Sequence, residues 1–165
     1  MSRRFPGRFN TPDVGAVYVS RQPETALDEF VRRASRDGVS LTDMHPRSIF
    51  EVDLYLQEAV DLTAAGQLDV WGLTPEDLVS EDMTRCREVA AVAAEHGAEA
   101  IQWASASGAG ESIAVFVENL RAGSHVEVVR TFDLTREMLR AIEQGTRVRG
   151  ILSLVGLLST EASGA

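Results

Sequence analysis

The chain has 165 residues, 25% of them charged and 44% hydrophobic, with a formal net charge of −9; this profile fits one soluble domain that can bury a core without staples. All sixteen basic residues are arginine, and the acidic balance argues against wrapping nucleic acid, whose phosphates need clustered cations. A small anionic ligand stays possible, because a few local arginines decide that. Cys86 is the single cysteine, which excludes an intrachain disulfide and a four-cysteine zinc site. MSRRFPGRFN has basic residues with no apolar run behind them, so it is not read as a secretory signal. The apolar run ILSLVGLL (151–158) is too short to span a membrane. The expected location is the cytoplasm, with neither membrane nor nucleic acid as a direct partner.

Turn residues Asn10, Pro12, Asp13 and Gly15 lead into GAVYVS (15–20), a short β-branched and aromatic run that predicts a strand. Pro23 and Glu24 suit the first turn of a helix, and Ala26, Leu27, Phe30, Val31 and Ala34 recur at helical spacing until Gly38 offers a stop. Glu29 lies beside that apolar stripe, where a carboxylate can flank a cleft at the edge of the core. Residues 40–47 read as a loop. SIFEVDLYL (48–56) alternates Phe50, Val52, Leu54 and Leu56 against Glu51, Asp53 and Tyr55, the pattern of a strand with one wet face. AVDL (59–62) is a short strand, and 63–72 reads as irregular or briefly helical.

Thr74 with Pro75, Glu76 and Asp77 predicts a capped helix start, and Ser80 with Glu81 and Asp82 repeats the signal for a longer helix reaching Gly97. Cys86 reads as a small core residue of that helix, and His96 as a helix-end residue suited to the dipole. AEAIQWAS runs as a strand into the loop SASGAGES (105–112), and IAVFV (113–117) leaves it as an apolar strand. A glycine-rich insert of this kind lets backbone N–H groups approach a ligand; the plain alternative is a hairpin connection, and the glycine spacing is no nucleotide fingerprint. A turn at Gly123 and Ser124, a strand over 125–133 and a helix capped by Thr135 and ending near Gly145 complete the core. The tail 159–165 reads as loose. Without repeats or regular βαβ alternation, the expected class is α+β, as mixed sheets with flanking helices in one domain over 1–165.

Taken singly, the candidate residues have ordinary readings: Arg8 as a solvated loop cation or a two-pronged phosphate grip, Tyr18 as a half-buried strand aromatic, Glu29 as a helix-surface charge. Taken in order, GRFN with Arg8 and Asn10, VYVS with Tyr18, ETALDE with Glu29, AVDLT, and WASASGAGESIAVF with Ser105 resemble the RES domain family over residues 7–132. Two departures accompany the resemblance. Only MSRRFP precedes GRFN where family members carry a strand and loop, and SASGAGES lacks an arginine and an asparagine found there in many members.

The resemblance implies an ADP-ribosyltransferase-like α+β fold with a cleft for NAD as substrate, no prosthetic group and no metal. It implies a toxin that cleaves the nicotinamide–ribose bond and passes ADP-ribose to inorganic phosphate or water. A Xre-type helix-turn-helix antitoxin would neutralise it, and a homodimer is compatible with the pattern. Carried over position by position, Arg8 would hold the pyrophosphate or adjacent ribose, with Asn10 beside it. Tyr18 would line the nicotinamide side, Glu29 would bind the nicotinamide ribose and stabilise its developing charge, and Ser105 would orient the nicotinamide or support Glu29. The alternatives are a protein ADP-ribosyltransferase and an inactive RES-like binding module.

Overall fold

The computed structural model describes residues 7–106 and 110–145, and in it the apolar runs become an α+β arrangement of strands and helices. In chain order these are β1 (Val17–Ser20), α1 (Pro23–Arg36), β2 (Arg47–Tyr55), β3 (Ala59–Asp61), α2 (Gln67–Val70), α3 (Thr84–Glu95), β4 (Ala100–Ala104), β5 (Glu111–Val115), β6 (His125–Leu134) and α4 (Arg136–Glu143). Four strands form one sheet in the order β1-β5-β4-β3, and β2 pairs with β6 in a second. Within the larger sheet β1/β5 and β4/β5 are antiparallel, whereas β3 lies parallel to β4. The tail expected to be loose, 159–165, and the apolar run at 151–158 lie outside the described residues.

The chain divides into two compact units, one drawn from Met1–Thr25 and Leu54–Val126, the other from Ala26–Asp53 and Glu127–Ala165. The first holds the larger sheet, which is covered on both faces. On one face Ile101, Trp103 and Ala114 pack with Phe9, Phe116 and the α3 residues Cys86, Val89, Ala90 and Ala93. Alanines on α3 let that helix lie close to the strands, and Cys86 is a buried core residue as expected. On the other face Ala100, Ile113 and Val115 meet Val19, Leu54, Leu56, Leu120 and Val126. Burial on both sides explains why β4 and β5 read as near-continuous apolar runs. The second unit has its own core, in which Leu27 and Ala34 of α1 pack with Leu41, Leu134, Leu139 and Ile142.

Four expectations need correcting. Residues 74–80 form overlapping turns, not a helix, although the cap signal is physical: Asp77 Oδ2 accepts from the Thr74 amide at 2.8 Å and the Thr74 hydroxyl at 2.9 Å. The long helix begins at Thr84 instead of Ser80, because Ser80 Oγ takes the Asp82 amide and Asp82 Oδ1 takes the Thr84 amide, local bonds that compete with helix formation. In β2, Ile49 is packed and Phe50 is 57% exposed. That strand serves both cores, with Ile49 in one and Leu54 in the other, so strict alternation against a single core does not hold. Finally β5 covers Glu111–Val115 instead of 113–117, since Phe116 turns away to donate its amide to Glu99 O and the chain then makes a 3₁₀ turn.

Candidate active site

The GRFN loop is pinned from three sides within the first unit. Asn10 is fully buried, and its Oδ1 accepts from the Gly7 amide at 2.6 Å and from the Tyr18 hydroxyl at 2.8 Å. The same hydroxyl accepts from the Phe9 amide at 2.9 Å. Gly7 has to be glycine here, because a Cβ would stand 2.5 Å from the Tyr18 hydroxyl oxygen. Arg87 of α3 donates through Nε to Gly7 O at 3.0 Å. The loop and Tyr18 of β1 thus form one hydrogen-bonded block on top of the Phe9–Trp103 aromatic pair, whose centroids are 4.7 Å apart.

Tyr18 has its hydroxyl committed inward, while the residue as a whole is 38% exposed. The ring meets Trp103 edge-on, 6.0 Å between centroids. Burial pushes its hydroxyl up to about 12 from an ordinary 10.0, against the Phe9 amide and the nearby Arg87 and Arg8 cations, which pull it down. A phenol held neutral in this way, with donor and acceptor both used, is no general base. What it offers a ligand is the exposed part of its ring.

Arg8 is not the solvated loop arginine of the plain reading. Its Nη1 donates to Asp77 O at 2.7 Å and its Nη2 to Ser80 O at 2.8 Å, so the guanidinium clamps the turn at 74–80. Five N–H groups radiate from a guanidinium, and these two bonds use two of them. Ser105, buried at the exit of β4, donates its amide to Gly110 O at 3.0 Å. Trp103, two residues earlier on the same strand, shares the sheet face of Tyr18: the register places Tyr18 opposite Ala114, and Ala114 opposite Ile101. Arg8, Asn10 and Tyr18 are therefore brought together, and Ser105 ends a strand of the same sheet. Glu29 is half-buried on α1, in the second unit, with Arg32 Nη1 3.8 Å from its carboxylate.

Residue-by-residue reading missed Arg87 and Trp103. A signal for Arg87 was present: Arg85 and Arg87 sit in the opening turns of α3, the positive end of the helix, where cations are disfavoured unless something holds them. Both are held by main-chain carbonyls, Arg87 on Gly7 and Arg85 on Gly72. Among the described residues no group of three or more His, Cys, Asp or Glu is placed to hold a metal ion, and no helix is long and apolar enough to cross a membrane. A depression of about 230 Å³ lined by Asp13, Val14, Glu95, Phe116 and Glu118, among others, shares none of the predicted site residues.

A model of the RES domain matches residues 1–137. No curated protein matches the chain. Among solved structures, the crystal structure of the M. tuberculosis MbcT–MbcA toxin–antitoxin complex is similar, with a TM-score of 0.75 at 20% identity over 87% of this chain and 79% of that one. At that identity the likeness concerns the fold, and the fold is the α+β arrangement described above.

Proposed function

Because this chain belongs to the RES domain family, we propose that it is a toxin-like enzyme that degrades NAD by cleaving the nicotinamide–ribose bond. The bond from the ribose anomeric carbon to the nicotinamide nitrogen breaks, and its electron pair leaves with neutral nicotinamide. An oxygen of phosphate or water then bonds to that carbon, water losing a proton. The transition state is oxocarbenium-like with a good leaving group, so a placed carboxylate and a tight grip matter more than a strong acid. In this reading Glu29 supplies the carboxylate and the exposed ring of Tyr18 lines the nicotinamide side. Arg8, through N–H groups beyond those on Asp77 and Ser80, holds the pyrophosphate or adjacent ribose beside Asn10, and Ser105 orients the nicotinamide. The partner is a Xre-type helix-turn-helix antitoxin, and a homodimer is compatible with the reading.

The observation that carries this reading is the family match, whose span contains all five residues. The structural neighbour, itself a toxin–antitoxin complex, supports the pairing. A second reading, a RES-like module that binds its antitoxin without catalysis, is favoured by one feature: the Tyr18 hydroxyl and one N–H from each Nη of Arg8 are committed inside the fold. Glu29→Ala separates the two. The ion pair of Glu29 with Arg32 is long, at 3.8 Å, between partly exposed side chains, a pairing of small worth to stability; thermal melts of parent and variant establish that both are folded. Induced expression of the parent is expected to arrest growth and drain cellular NAD, and the variant to do neither. Undiminished toxicity of folded Glu29→Ala would sink the enzymatic reading. Labelled ADP-ribose appearing on a protein would turn it towards a protein ADP-ribosyltransferase.

A further inference from the structure

Ser105 takes its place from a residue five positions later. Its amide donates to Gly110 O at 3.0 Å, and Gly110 stands in the left-handed region at φ +80°. Gly110 is in turn seated on Gln22 and the first turn of α1: a Cβ built on it would overlap Gln22 Oε1 and lie 2.6 Å from Thr25 Oγ1. The tip of Gln22 can swing aside, but Thr25 is fully buried, and its hydroxyl has no comparable freedom. The adjoining contacts hold the same seat. Gln22 Oε1 accepts from the Glu111 amide at 3.3 Å, and the Arg21 amide donates to Glu111 O at 3.0 Å. Arg21 Nε lies 2.7 Å from the Glu111 carboxylate, while Arg21 Nη2 and Gln102 Nε2 close the ring through Gln102 Oε1 and Glu111 Oε2 at 2.9 and 3.1 Å.

We infer that Gly110, seated against Thr25 and Gln22, is a positioning residue that sets where Ser105 stands at the exit of β4. The inference rests on the proposed function in one respect: Ser105 faces substrate only under that reading. A glycine is required twice over, for the left-handed backbone and for the close approach. Alanine at this position must move the Gly110 peptide away from Thr25, and the carbonyl that accepts from Ser105 moves with it. Misplacement of a substrate-facing group is felt in the chemical step, where about 1 Å costs up to ~100-fold, more than in ground-state binding.

The test measures amide hydrogen exchange at Ser105 by NMR together with steady-state nicotinamide release, in the parent, Gly110→Ala and Gln22→Ala. Gly110→Ala is expected to exchange its Ser105 amide at least ~10-fold faster, and to lose at least ~10-fold in kcat with KM for NAD within about threefold. Gln22→Ala leaves the glycine and Thr25 in place and removes one acceptor, so it is expected to fold as the parent does and to speed Ser105 exchange about threefold. A folded Gly110→Ala whose Ser105 exchange and kcat both stay within about twofold of the parent's overturns the inference. Should Gly110→Ala fail to fold, unchanged Ser105 exchange in Gln22→Ala overturns it instead. Should the parent release no nicotinamide, the proposed function falls, and the exchange comparison still decides whether Gly110 holds Ser105.

Discussion

At Tyr18 two roles are separable because they use different parts of one side chain. The hydroxyl ties the Phe9 amide to Asn10, and the ring shows its remaining surface outward. Tyr18→Phe removes the tie and keeps the ring, leaving the buried Phe9 amide without its acceptor while Asn10 Oδ1 keeps the Gly7 amide, a loss of about 1–2 kcal/mol of stability. NAD affinity is expected to survive that change and to fall with Tyr18→Ala, which removes the stacking surface as well; isothermal titration with NAD checks both. Equal loss of affinity in the two variants contradicts a role for the ring. The strand and its aromatic were legible, since VYVS announces a strand. The wiring of the hydroxyl was not, because nothing local to VYVS says that its partner is eight residues back.

At the scale of elements, long-range backbone acceptors decide what local signals leave open. Residues 74–80 carry helix-start chemistry but no helix, because the turn is held from outside by Arg8 through the carbonyls of Asp77 and Ser80. A lysine has one point-like head and cannot grip two carbonyls as a planar fork does. Arg8→Lys is therefore expected to lower stability by about 1.5–3 kcal/mol, read as a shift in urea midpoint, and an unchanged midpoint would deny the clamp.

Glu99, just ahead of β4, works in the same way with the sign reversed. It is fully buried and accepts from the amides of Gln57, Glu58 and Arg121 at 2.6, 2.8 and 2.7 Å. Burial alone would raise its carboxyl. The Ser124 hydroxyl and those three amides outweigh it and hold the group at about 2, below an ordinary 4.5. A depressed carboxylate contributes its stability in full above the unfolded value and loses it as pH falls through the folded one. Glu99→Gln is thus expected to melt well below the parent at pH 7, with the gap closing between about pH 4.5 and 2; a gap independent of pH would contradict it. Glu99 was not legible as a key residue, since an isolated Glu beside an apolar run reads as the wet edge of a strand. Helix α1 was legible nearly to its ends, since its apolar stripe, its N-terminal acid and its terminal basic residues all agree.

For the whole molecule, the α+β class followed from strands and helices mixed without regular alternation. The division into two units did not. It shows only where a single element serves two cores, as β2 does with Ile49 in one and Leu54 in the other. A chain with net charge −9 is a poor ligand for DNA on its own, so a pairing with a DNA-binding antitoxin would divide the work between two proteins. Whether the claim of catalysis holds is decided by incubating the purified, antitoxin-free chain with NAD, with and without inorganic phosphate, and identifying the products. We predict release of nicotinamide together with ADP-ribose-1″-phosphate when phosphate is the acceptor, or free ADP-ribose when water is. No nicotinamide from folded protein at high enzyme concentration would contradict the claim and leave the antitoxin-binding module in its place.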